Sequence, residues 1–164
     1  MAKLRHVTID WTYPKRWVEY KNNPDIDKFG VYYISRCIFY SDHIDETPVY
    51  IGKTRQTFRE RFDQHMRDDK KFIHKNGELY VRLGRIVKPC SLSSYENEEN
   101  GLDRLLLVIE SGLITELQKL GYKVRRNLTN IQQTSTYRGW YDLVIHNIGY
   151  HGLLPSVFNN RDHE

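Results

Sequence analysis

A chain of 164 residues, 39% hydrophobic and 28% charged, suffices for one domain with a core of its own. Its longest apolar run, Leu105 to Ile109, falls far short of the ~18 residues of a membrane span, so no membrane partner is expected. A net charge of +4 suits nucleic acid without requiring it, and two cysteines, Cys37 and Cys90, are too few for a disulfide framework and lack zinc-ligand spacing. The opening MAKLRHVTIDW has no apolar signal core, and free thiols suit a reducing compartment, so a cytoplasmic location is expected.

Tyr13 to Asn23 predicts a short helix with Pro14 in its first turn, broken by Pro24. From Gly30, GVYYISRCIFY is rich in valine, isoleucine and tyrosine and predicts a strand. After the polar SDHIDETP, VYIGK resumes an extended pattern, and the two runs predict an antiparallel hairpin. At Thr57 the period changes. Thr57 with Glu60 forms a capping box, and Phe58, Phe62 and Met66 share one helical face. Glu78 to Val87 predicts a third strand. Leu102 to Leu120 is the strongest helical segment, ended by Gly121. The pattern then weakens, with WYDLVI as a further short element. The expected fold is α+β, a small sheet covered by helices.

Within the long helix, Glu110 has Leu106, Leu107, Leu113 and Ile114 at three and four positions' distance. The carboxylate therefore belongs to the apolar face, where an isolated charge costs several kcal/mol, about the stability margin of a small domain. It must be neutral, paired with a cation, or bound to a metal. Arg61 and His65 are neighbours one turn apart at the margin of the Phe58/Phe62/Met66 stripe, either a local edge pair or groups reaching into a cleft. Tyr32 and Tyr50 lie in strands, where tyrosines ordinarily pack, and Lys53 at a strand end would ordinarily be a solvated charge.

Taken together, GVY at Gly30 to Tyr32 and YIG at Tyr50 to Gly52 resemble the paired signature of the GIY-YIG nucleases. Lys53 follows directly, Arg61 stands eleven residues after Tyr50, and His65 lies a turn further. Glu110 opens ESGLITEL, similar to the family's glutamate helix. RRNLTN supplies Asn127 as the matching asparagine, with Asn130 as a competitor. The Gly-Val-Tyr register favours Tyr32 over Tyr33 as the first phenol. Seventeen residues separate the motifs, which is read as a lengthened hairpin loop from Ser35 to Pro48.

The resemblance implies a single GIY-YIG-like domain with a three-stranded antiparallel sheet flanked by helices. Its catalytic core would span residues 30–130, with extensions over 1–29 and 131–164. It implies a DNA endonuclease dependent on Mg²⁺ or Mn²⁺, of restriction type, with a homodimer plausible for cutting both strands. Alternatives are a phage-type or structure-directed nuclease and a catalytically inactive nucleic-acid-binding module. The implied catalytic set is Tyr32, Tyr50, Lys53, Arg61, His65, Glu110 and Asn127. Glu110 holds the metal, Arg61 holds a phosphate oxygen, and Tyr50 or Tyr32 orients the attacking water and takes its proton. Such a phenol needs its pKa lowered, with Lys53, His65 and Arg61 the expected cause.

Overall fold

Apolar alternation begins earlier in the chain, and ends later, than the three expected strands. Val7, Ile9 and Trp11 alternate along β1 (Arg5–Trp11), and Leu143 and Ile145 along the strand near the other end; all are buried. The computed structural model describes residues 5–66, 78–87, 101–122, 124 and 143–159. β1 is followed by β2 (Lys15–Arg16), a 3-10 helix (Trp17–Asn22), β3 (Gly30–Phe39), β4 (Ile44–Thr54) and α1 (Phe58–Gln64). Then come β5 (Leu79–Val87), α2 (Gly101–Lys119), β6 (Leu143–Gly149) and β7 (Val157–Asn159).

These strands form one mixed seven-stranded sheet in the order β4-β3-β5-β1-β6-β7, with β2 also paired to β5, and the sheet curls into a half-barrel. The expected small three-stranded sheet flanked by helices is therefore wrong. The antiparallel unit β4-β3-β5 exists, but β1 continues the sheet beyond β5, and β6 pairs with β1 in parallel from Arg5↔Leu143 to Trp11↔Gly149. The physical reason is reach. A parallel pair between opposite ends of the chain leaves no turn signal, and only tertiary packing reveals it.

Strand alternation divides the core. Val31, Tyr33 and Ile51 face the cluster that holds α2, whose Leu105, Leu106, Val108, Ile109 and Leu113 are buried on several sides, as befits a helix inside a curled sheet. Tyr32 and Ile34 face the opposite cluster with Trp17, Tyr20, Phe58 and Phe62. The capping box forms as the spacing requires, with Thr57 Oγ1 accepting the Glu60 N–H at 3.1 Å. Gly121 adopts a φ of +93° just past α2, the left-handed conformation a helix end favours. The helix expected over Tyr13–Asn23 splits instead, since Lys15 and Arg16 pair with Val81 and Tyr80 before the 3-10 turn begins.

The segment Ser35 to Pro48 is ladder, not loop. β3 and β4 stay paired to Phe39↔Ile44, with a turn closed by Tyr40 N–H to His43 O at 2.9 Å. Pro48, which cannot donate, lies on an outermost strand, next to the irregularity that leaves Val49 outside the regular pairing. A buried ion pair braces the base of this hairpin: Arg82 donates to both oxygens of Glu46, and Ser35 Oγ donates to Glu46 Oε1 at 2.9 Å. Glu46→Ala would strand a guanidinium in the interior, and we expect it to cost ~3–5 kcal/mol in chemical denaturation. An Arg82→Met, Glu46→Leu double variant should recover most of that loss. Among the described residues, no helix is long and apolar enough to cross a membrane.

Candidate active site

Four elements contribute to the site. β3 and β4 place Tyr32 opposite Gly52 and Ile34 opposite Tyr50, so both phenols stand on the face covered by α1. Tyr33 points to the other face, edge-on to Trp11 at 6.2 Å and under the Arg82 guanidinium, so the strand register itself separates the two candidate phenols. Gly52 makes the arrangement possible. A Cβ there would lie 2.2 Å from Tyr32 Cζ and 2.3 Å from its hydroxyl, so the Tyr32 ring can lie across β4 only over a bare backbone.

α1 supplies Arg61 and delivers His65 just after its last turn. His65 is 1% exposed, with Nε2 at 2.8 Å from the Tyr32 hydroxyl and its ring 6.0 Å from those of both Tyr32 and Tyr50. Trp17 backs this imidazole at 6.5 Å and meets Phe62 edge-on at 4.9 Å. The Tyr20 hydroxyl donates to Asp63 and ties the 3-10 helix to α1. Arg61 donates through Nη1 to Gln64 Oε1 at 3.0 Å, and both phenols act on its guanidinium, while its Nε is buried and meets no acceptor.

α2, from the other side of the sheet, brings Glu110, which is 3% exposed. Of the charges acting on Tyr50, Glu110 is the strongest, and Tyr32 also feels it. Tyr32, Tyr50, Arg61 and His65 thus cluster on one face of the β3–β4 pair, and Glu110, on the helix that covers the other face, is near enough for its charge to act on both phenols.

The electrostatics differ from expectation. Burial, then Tyr50, pushes the Tyr32 pKa well above the ordinary phenol value, against the pull of Arg61. Burial, then the Glu110 charge, raises Tyr50 as well, with Arg61 and then Tyr32 opposing. The expected lowering by nearby cations does not occur, because desolvation together with a carboxylate outweighs one guanidinium. For Arg61, burial works against the cation, yet the two phenols overcome it and the guanidinium pKa lies above its usual value.

Lys53 stands on the α2 side of the sheet and not beside the phenols: it follows Gly52 and pairs with Val31, so alternation places it on the Ile51 side of β4. Asn127 and its competitor Asn130 lie outside the described residues. Two contributors were missed from the sequence. Gln64, three positions after Arg61 on the same helix, was open to spacing arguments. Trp17 was not, since nothing local links it to His65. Among the described residues no three His, Cys, Asp or Glu side chains converge as a metal cage. Comparison with protein-family models, curated proteins and solved structures returns no match.

Proposed function

We propose that the protein is a metal-dependent phosphodiesterase that cleaves DNA, with chemistry of the GIY-YIG type. The observation that carries the proposal is the clustering of Tyr32, Tyr50, Arg61 and His65 on one face, with the Glu110 charge acting on both phenols. The likeness to those nucleases rests on this side-chain set and not on the sheet, which is larger and mixed.

The donor set suits Mg²⁺ or Mn²⁺. These hard ions keep several waters and need only one or two protein carboxylates, here Glu110, so the lack of a larger acidic cage is no obstacle. Bound there, the ion would act as a Lewis acid on the phosphate oxygens. Arg61 is the phosphate clamp. Its buried Nε lacks an acceptor, and a phosphate oxygen supplies one by a charge-assisted bond.

Raised phenol pKa values favour a relay over a standing phenolate. Tyr50 is the less buried phenol and faces the water. Tyr32 is hydrogen-bonded to His65 Nε2 and its ring lies 5.9 Å from that of Tyr50, so with His65 in the Nδ1-protonated tautomer the relay would run from water through Tyr50 and Tyr32 to the imidazole. As the water oxygen bonds to phosphorus, its proton passes to the Tyr50 oxygen, the Tyr50 proton to Tyr32, and the Tyr32 proton to His65. The P–O bond to the leaving strand breaks, and the departing alkoxide takes a proton from solvent. Both phenols end as they began.

Incubation of supercoiled plasmid with Mg²⁺, against a chelator control, tests the proposal: nicked or linear product only with the metal is the expected result, and intact plasmid sinks it. Sequencing the product ends then separates the restriction-type reading, with discrete termini, from a structure-directed nuclease with scattered ones. For Arg61→Ala we expect turnover at saturating DNA to fall at least ~100-fold, as for loss of a charge-stabilising group in other phosphoryl and acyl transfers. Single-turnover kinetics would read it, and near wild-type rates would make Arg61 a structural residue.

A further inference from the structure

The face that holds the phenols carries a further guanidinium group. Tyr32, Ile34 and Arg36 alternate along β3 and pair in turn with Leu83, Val81 and Leu79 of β5, all three of which belong to the cluster on that face. Tyr32 and Arg36 therefore stand on either side of Ile34, the residue opposite Tyr50. Arg36 is half-buried between its ladder partners Thr47 and Leu79. Its Nε is enclosed and meets no acceptor, while its terminal nitrogens reach the surface. Among the described residues four arginines enclose such an Nε: Arg36, Arg61, Arg82 and Arg85. The fold accounts for two of them, since Arg82 is bound by Glu46 and Arg85 by Asp10. Arg61 lies under the influence of both phenols. Arg36 has neither kind of partner among the described residues, and Asp45, opposite Ile38 on the same face, makes no ion pair with it. An enclosed donor left unmade costs ~1–3 kcal/mol, and a long side chain at a partly open position ordinarily avoids that cost by turning into water.

We infer that Arg36 binds a non-scissile phosphate of the DNA strand whose scissile phosphate meets Arg61. The identity of the ligand rests on the nuclease reading; the site itself rests on the guanidinium. Residues two apart on a strand face are separated by ~6.6 Å, so Arg36 carries the binding face one such step along β3 beyond Ile34 and Tyr50. A guanidinium fork with no carboxylate to neutralise it suits a phosphate, whose oxygens accept charge-assisted bonds from both terminal nitrogens. Because Arg36 stands in a ladder between two strands, the fork is carried by the sheet and not by a loop. Its role is positioning. The contact is the same in the bound substrate and in the transition state, so it contributes to affinity, whereas Arg61 acts where charge develops.

The test is fluorescence anisotropy of the full chain with a short mixed-sequence DNA duplex, a chelator replacing Mg²⁺, over a range of salt concentrations. Arg36→Met keeps the apolar stem beside Leu79 and removes the fork. It is expected to weaken binding about tenfold and to lower the slope of log affinity against log salt by about 0.9, the loss of one phosphate contact. Arg36→Gln should show the same two losses, and Arg36→Lys, which keeps the charge, should restore the slope. Arg59→Met, whose guanidinium is paired with Asp27, should change neither. In Mg²⁺ the Arg36→Met defect should fall on KM, where that of Arg61→Ala falls on turnover. A wild-type salt slope in Arg36→Met and Arg36→Gln overturns the inference even where plasmid is cut. An equal loss in Arg59→Met makes the effect one of net charge and overturns it as well. Failure of the nuclease reading alone looks different: plasmid stays intact in Mg²⁺ while the Arg36-dependent slope persists, and the face then binds DNA without cutting it.

Discussion

Replacing Glu110 with glutamine is expected to lower plasmid cleavage in Mg²⁺ at least a thousandfold, while DNA affinity and the melting temperature hold. Three orders of magnitude correspond to ~4 kcal/mol of transition-state stabilisation, a reasonable share for the one carboxylate placed to anchor the ion. The combination of outcomes matters more than the loss itself. A glutamate kept for packing or pairing would, on substitution, lower stability together with activity. Glu110 is 3% exposed in an apolar helix. Glutamine keeps its shape and removes the charge that would hold an ion. Lost cleavage with an unchanged Tm identifies a group retained for chemistry. Cleavage close to wild type would remove Glu110 from the reaction, and a fall in Tm of many degrees would make its role structural.

What the sequence made legible followed from local physics. The capping box at Thr57, the strands around Tyr32 and Tyr50, and the buried face of Glu110 are all fixed by spacing within a turn or two, and each took the expected form. The whole sheet was not legible, because β1 and β6 belong to it only through a parallel pairing between residues near opposite ends of the chain. Lys53 shows what a motif leaves open: in a strand adjacent residues face opposite ways, so its place beside Gly52 sets it on the α2 side and not beside the phenols. The direction of the phenol pKa values was hidden for a third reason. Counting nearby cations ignores burial, and in this pocket burial is the larger effect.

Gly52→Ala should damage fold and site together through one added methyl. The added Cβ would stand 2.2–2.6 Å from two ring carbons and the hydroxyl oxygen of Tyr32, far inside contact distance. Neither side can yield cheaply. Tyr32 is fully buried, with Phe62 edge-on at 4.9 Å and Phe58 at 6.5 Å, and Gly52 is held in the ladder opposite it. Overpacking of this kind costs ~1–3 kcal/mol, here at the upper end because the clash is with a ring and not a flexible tip. The chemical cost should be larger still. A ring tilted off β4 carries the Tyr32 hydroxyl away from His65 Nε2, and a shift of ~1 Å is enough to cost about 100-fold in rate. Tyr32→Phe separates the two effects, since it keeps the ring and removes only the hydroxyl: stability should nearly hold while cleavage falls as it does in Gly52→Ala. If the tyrosine hydroxyl is idle, Tyr32→Phe will cut DNA at the wild-type rate, and the harm done by Gly52→Ala will prove to be one of packing alone.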